Sequence, residues 1–324
     1  MRNCLTAFIL AILAVTPLFT NEPYHIFVMN TICINAILVL ALNFILGLAG
    51  QVFMGTIAFF AIASYTSGML FKHYEWGFWQ SLPFSIVFTA FISLLIGIPT
   101  LRVSGAYLAL MSMGFIIVVS DIFKNWMSVT GGVWGIMGIP RPVVFGFSLD
   151  ENLHMFYLAF GFLLLLTVAA ILIEDSRYGL SFKAVRDDQL AIEMCGLNST
   201  RVKVMAFVFC GVYTGVAGSL FASFNLYISP EIFTFNYNAI FMCMLVVGGL
   251  ASIPGSVLGA VILTVAIEAL RPLREKYLTV FALIIILILL FEPGGLTVLF
   301  GGFVDRLKSA FGVRKRVPEE GEHA

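Results

Sequence analysis

No charged residue occurs between Glu22 and Lys72. Such a stretch cannot cover the outside of a water-soluble domain, and it exceeds what one buried helix needs, since about 20 apolar residues already cross a bilayer core of about 30 Å. Comparable runs recur along the chain. Marking apolar stretches between charges, prolines and glycine clusters gives about ten segments: Leu5 to Phe19, Ile26 to Leu48, Val52 to Phe71, Pro83 to Thr100, Ala106 to Phe123, His154 to Ile173, Val204 to Phe224, Phe235 to Leu250, Val257 to Leu270 and Tyr277 to Phe291. The expected fold class is all-α, a polytopic transmembrane helix bundle of about ten spans. Composition bears on this at one point: with 60% hydrophobic and 11% charged residues in 324, too little polar surface exists to wrap a soluble globule. The expected layout is a transmembrane domain over residues 1–303, containing a polar loop at 174–203, and a tail at 304–324.

Several functions are excluded at this level. Eighteen basic residues balance eighteen acidic ones and lie scattered, so no basic face exists for nucleic acid. The five cysteines, Cys4, Cys33, Cys195, Cys210 and Cys243, are odd in number and far apart, mostly inside apolar runs, which gives neither a disulfide framework nor zinc spacing. His25, His73, His154 and His323 have no companion at metal-ligand spacing. Arg2 before a short apolar core resembles a signal peptide, but Val15-Thr16-Pro17 offers no small-x-small cleavage site, so the segment is read as a helix.

Basic loops stay in the cytoplasm. With the N-terminus inside, Arg2, Arg102, Arg177, Lys183, Arg186, Arg201, Lys203 and the tail bases fall inside, while Lys72, Lys124, Arg141, Arg271, Arg274 and Lys276 fall outside. Both termini are then expected to be cytoplasmic. The basic gap Arg271 to Lys276 argues the other way, and a re-entrant late segment would reconcile it.

Two gaps are long. The outer one, Lys124 to Leu153, contains Thr130-Gly131-Gly132 and reads as a loop folded over the bundle mouth, with Trp134 at headgroup level. Its glycines open no Lys-bearing helix, so it is no phosphate loop. The inner one, Glu174 to Lys203, interleaves Arg177, Lys183, Arg186, Asp187, Asp188 and Glu193 with Phe182, Val185, Leu190, Ile192 and Met194. That pattern predicts a short amphipathic helix outside the bilayer, stopped by Gly196, with Asn198-Ser199-Thr200 capping the next span. Such a helix either lies on headgroups or docks a soluble partner.

The stretch Leu42 to Gly55, with its Gly47-Leu48-Ala49-Gly50-Gln51 core, resembles the "LNLxxGyaGQxSlG" signature of branched-chain amino acid ABC importer permeases. So do Leu101 to Leu110, Thr130 to Gly132, Ser176 to Gly179 leading into Ala184 to Ala191, Val246 to Ala260, and Phe291 to Leu296. The resemblance spans most of the chain in one order and is closer to the M-type than the H-type subunit. It departs at Val52, Phe53 and Thr56, where family members commonly carry Ser or Thr and a nearby His, and at Ala191 to Leu197 beside the family's "AAEALGI". Gly196 and the acid Glu193 are kept.

The resemblance implies a bacterial inner-membrane importer of two permeases, this chain and an H-type subunit, with two cytoplasmic ATPases and a periplasmic amino acid-binding protein. No cofactor is then expected on this chain, ATP and Mg belonging to the ATPases, which agrees with the absence of a phosphate loop here. The inner helix becomes the coupling helix, with Arg186, Asp187, Asp188, Leu190, Ala191, Glu193 and Gly196 seated against an ATPase.

Polar side chains inside the spans include Asn35, Asn43, Ser112, Thr214, Asn238 and Thr264. The bland reading for each is interhelical adhesion of about 1 kcal/mol or less. Asn43 and Gln51 bracket the Gly47 to Gly50 break, where a span that unwinds exposes backbone to a cavity, so with Asn35 they are the candidate translocation path. Gly211, Gly215, Gly218 and Ser219 read as a packing seam. Ion-driven carriers place titratable groups deep in the bundle, whereas Asp121, Glu174 and Glu268 stand near span ends. A self-contained carrier, a permease for urea or short amides, and a membrane-embedded enzyme or scaffold are the competing readings.

Overall fold

The computed structural model describes residues 2–19, 22–100, 103, 105–144, 147–148, 151–271 and the single positions 282, 283, 286 and 290. The expected segment Tyr277 to Phe291 lies almost wholly outside the described residues. So do Arg102, Arg274, Lys276, the closing Phe291 to Leu296 stretch and the tail.

The order is α1 (Arg2–Phe19), α2 (Pro23–Leu42), a π-helical turn (Asn43–Leu48), α3 (Thr56–Tyr74), α4 (Phe78–Thr100), α5 (Ala106–Asn125), the single turn α6 (Met127–Thr130), β1 (Ile136–Met137), β2 (Val143–Val144), β3 (Phe147–Ser148) and α7 (Asn152–Asp175). Then follow α8 (Arg177–Asp187), α9 (Gln189–Met194), α10 (Ser199–Asn225), β4 (Tyr227–Ile228), α11 (Phe235–Gly248) and α12 (Ile253–Leu270). The architecture is an all-α polytopic bundle.

Among the described residues six helices are long and apolar enough to cross a membrane: Pro23–Leu48, Phe78–Thr100, Ala106–Asn125, Asn152–Asp175, Ser199–Asn225 and Ile253–Leu270. The expected count of ten is therefore not reached there. Three more expected segments do form helices, α1, α3 and α11. α3 is the instructive one: Ser64, Tyr65, Thr66 and Ser67 lower its hydropathy, yet they are buried because neighbouring helices surround it. Ser64 and Thr66 turn their hydroxyls onto the carbonyls of Phe60 and Ile62, at 2.9 and 2.7 Å, satisfying them without water. α11 is short, 14 residues.

α10 is the axis. On one flank it meets α4, where a Cβ at Gly211 would lie 2.8 Å from Ala90 Cα and one at Gly215 2.7 Å from Ile86 Cα. On another, a Cβ at Gly218 would lie 2.4 Å from the Ala63 Cβ of α3. The glycine spacing thus sets backbones in direct contact, where dispersion replaces the missing hydrophobic drive between helices in lipid. Tyr213, fully within this core, donates to the Leu166 carbonyl of α7 at 2.8 Å. By contrast α4, α5 and α7 turn Phe84, Phe88, Phe91, Leu110, Ile117 and Leu165 outward, as lipid-facing helices do.

At the end of the bundle opposite α8 and α9, β1 pairs antiparallel with β4 through Ile136 and Ile228. A Cβ at Gly135 would fall 1.9 Å from the Ile228 carbonyl oxygen, and Gly135 has φ +70°. Only glycine fits this crossing. Thr130 donates to the Phe123 carbonyl at 2.7 Å, and Trp79 to that of Val143 at 2.7 Å, so the long gap is a built cover over this end. Glu268 is held there by the Tyr24 hydroxyl and by Arg271 at 2.8 Å.

Candidate functional site

The polar gap read as one amphipathic helix is two. α8 begins at Ser176, whose Oγ accepts the Tyr178 N–H at 3.2 Å, and folds back so closely on α7 that a Cβ at Gly179 would lie 2.0 Å from the Glu174 carbonyl oxygen. Lys183 closes the corner with a 2.9 Å salt bridge to the buried Glu174 carboxylate. Phe182 and Val185 turn into the core. Asp188 has extended backbone and caps α9, its Oδ1 accepting the N–H groups of Leu190 at 2.8 Å and Ala191 at 3.2 Å. An Asp at this place interrupts the run because its carboxylate competes for the first amides of a new helix.

α9 ends in a Schellman arrangement: Leu197 N–H reaches the Ile192 carbonyl at 3.2 Å and Gly196 N–H that of Glu193 at 3.0 Å. Gly196 has φ +80° and open space where a Cβ would be, so this chain requires glycine there for backbone conformation. Glu193 accepts from the Ser199 hydroxyl and from Gln189 at 3.2 Å, and Lys203 donates to Gln189 at 2.7 Å. Those hydrogen bonds, Ser199 first, hold the Glu193 carboxyl below the ordinary carboxylate range. Asp187, Asp188, Ala191, Glu193 and Gly196 are all exposed. Leu190 is 73% and Met194 91% exposed, while Ile192 alone on α9 is buried.

Arg186 points elsewhere. Its Nη1 donates to the Gly47 carbonyl in the π-helical turn at 2.8 Å, and its stem covers Gly50, where a Cβ would meet Arg186 Cγ at 2.7 Å. A cation on the last turn of α2 also suits the helix dipole. The turn itself departs from α geometry, with Ala49 N–H bonded to the Phe44 carbonyl at 3.1 Å and Gln51 N–H to that of Ile45 at 2.9 Å. Asn43 lies in the same turn, buried, its Oδ1 accepting Ala251 N–H at 3.1 Å from the corner between α11 and α12. Gly47 makes room for this: a Cβ there would lie 1.8 Å from Asn43 Oδ1. Gln51 is half-buried and donates to the Ala49 carbonyl at 3.4 Å. Asn35 donates to Thr264 on α12 at 3.0 Å. Asn43 and Asn35 thus tie α2 to neighbouring elements.

A second polar group surrounds the start of α3. Ser112 of α5 accepts Met54 N–H at 2.8 Å and Asn238 of α11 accepts Ile57 N–H at 3.1 Å. Phe53, stacked on Phe59, fills the space beside Gly55. Sequence reasoning set Ser112 and Asn238 among the adhesive polar residues; their service to a helix start had no local signal. Ala251 also escaped it, although Ser252 followed by Ile253-Pro254-Gly255 announces the start of α12, with Ser252 Oγ accepting Gly255 N–H at 3.2 Å.

The family described as branched-chain amino acid transport system, permease component, matches residues 24–291. The high-affinity branched-chain amino acid transport system permease protein LivM of Salmonella typhimurium is 33% identical over 286 residues, 81% of this chain and 67% of the relative. Its Escherichia coli counterpart is 32% identical over the same shares. The autoinducer 2 import system permease protein LsrC of Escherichia coli O9:H4 is 30% identical over 204 residues, 57% of this chain and 55% of that protein. No solved structure gives a significant match. A polytopic helical bundle matched by the family model from the first turn of α2 to beyond α12 belongs to the branched-chain amino acid transport system permease family.

Proposed function

We propose that this chain is the M-type permease subunit of an ATP-binding cassette importer in a bacterial inner membrane, forming half of the path for branched-chain or related amino acids. Its partners are an H-type permease, two cytoplasmic ATPases and a periplasmic binding protein that delivers the substrate. The observation carrying this reading is α9: a capped, rigidly seated helix outside the apolar spans, with Leu190 and Met194 presented to solvent. Exposed anchors on a preordered element are how a soluble partner is engaged. Nucleotide chemistry is assigned to the ATPases, since no phosphate loop stands in the sequence. Both termini and the α8–α9 end then face the cytoplasm.

The test is purification of the complex from its native membrane and reconstitution in proteoliposomes with the binding protein. ATP-driven uptake of radiolabelled leucine, with an H-type permease and ATPases as accompanying chains, is the expected result. Uptake that needs no ATP but responds to a proton or sodium gradient would replace the reading with a secondary carrier.

A further inference from the structure

We infer that Arg186 and Asn43 are positioning residues of a mechanical linkage that passes displacement of α8 and α9 into the end of α2 and the α11–α12 corner. The inference rests on the importer reading above. Three observations carry it. The turn Asn43–Leu48 is π-helical, and wide turns within an otherwise α-helical segment are frequent at functional sites because they relax the regular ladder. Two elements grip that turn: α8 through the Arg186 guanidinium on the Gly47 carbonyl at 2.8 Å, and the α11–α12 corner through Ala251 N–H on Asn43 Oδ1 at 3.1 Å. The gripping points touch, since Gly47 has no side chain to separate its own backbone from Asn43 Oδ1 and Ala251 N.

The corner itself is a held one. Ala251 sits at φ +58° and Gly249 at φ +118°, and a Cβ at Gly248 would lie 2.0 Å from the Gly255 carbonyl oxygen. An alanine in the left-handed region persists where surroundings fix it, and here the Asn43 carboxamide holds its N–H. At the other side α8 cannot yield alone, because Gly179 and the Lys183–Glu174 bridge lock it to α7. A push on α9 therefore moves α8, and Arg186 carries that motion to a turn whose geometry has slack. Asn43 passes it on to α12.

The test uses the complete importer in proteoliposomes, reading ATPase capture, ATP hydrolysis and leucine uptake together. Arg186→Gln and Asn43→Leu remove the two hydrogen bonds. Arg186→Lys keeps a charged donor, and Asn43→Asp keeps the acceptor. Arg186→Gln and Asn43→Leu should capture the ATPases and hydrolyse ATP, yet lose about tenfold in leucine taken up per ATP, a span usual for coupling between sites. Arg186→Lys and Asn43→Asp should recover most of that loss. Arg186 is exposed, so Arg186→Gln decides the matter if Asn43→Leu fails to accumulate. Unchanged uptake per ATP in Arg186→Gln would overturn the linkage, as would losses that track ATPase capture in every variant. ATP-independent uptake by the wild type would instead overturn the importer reading, and so is distinguishable.

Discussion

α8 and α9 are joined through a single residue, Asp188, and are built in opposite ways. α8 is locked inward: Gly179 against the Glu174 backbone, Lys183 on a buried carboxylate, Arg186 on the end of α2. α9 is capped by Asp188 and Gly196 and tied to the start of α10, through Glu193 and Gln189, leaving Leu190 and Met194 without cover. The difference teaches that one polar loop is built in two parts, an arm fixed to the bundle and a pad whose apolar side chains stay exposed.

Substitutions should separate arm from pad. The largest effect belongs to Gly179→Val, which forces a side chain onto a backbone carbonyl and should lower stability by about 3 kcal/mol, seen as a lower Tm or loss of monodisperse protein in detergent. A Tm equal to the wild type would mean that α8 is not locked. Leu190→Asp on the pad should do the reverse: thermal stability within about 0.5 kcal/mol of the wild type, but ATPase capture weaker by about 2 kcal/mol, or roughly thirtyfold, as for loss of an apolar anchor. Full capture by this variant would return α9 to the lipid surface. Gly196→Ala places a Cβ in the left-handed region and should cost about 1 kcal/mol locally, read as faster amide exchange across α9 with the rest of the chain unchanged.

The smallest effect is on pH. Hydrogen bonds from Ser199 and Gln189 hold Glu193 below its ordinary pKa of 4.5. A depressed carboxyl contributes stability above that value and loses it as pH falls through the lowered one. Exchange protection of α9, corrected for intrinsic rates, should therefore decline as the pH falls below 4.5 in the wild type and stay level in Glu193→Gln. Parallel profiles would remove Glu193 from the frame.

Helix placement was legible because lipid leaves a chain few alternatives to the helix. The expected Ala106 to Phe123 is α5, Ala106–Asn125, and the glycine spacing of α10 announced its contacts. α10 starts at Ser199, a turn ahead of the apolar run marked from Val204, where the cap expected at Asn198 lets a polar turn join the helix. Asp188 likewise read as one more charge on a helix face, whereas its carboxylate takes the amides that divide α8 from α9. Arg186 was legible as a cation outside the spans but not as a partner of Gly47, a contact across 139 positions that no local pattern encodes. Asn43 and Asn35 were legible as polar groups inside a span, but their partners, the Ala251 N–H and the Thr264 hydroxyl, were not, since a lone amide in an apolar run carries no local mark of what it bonds.

The glycine seam bears on how such a bundle can deform. Where Gly211, Gly215 and Gly218 bring α10 against α4 and α3, no long side chains stand between the axes to swing between rotamers, so sliding would have to force backbone through backbone. The seam therefore opposes sliding among these three helices. The π-helical turn and the irregular stretch before α3 are held in another way, by hydrogen bonds that involve Arg186, Asn43, Ser112 and Asn238, contacts that a change of shape can exchange one at a time.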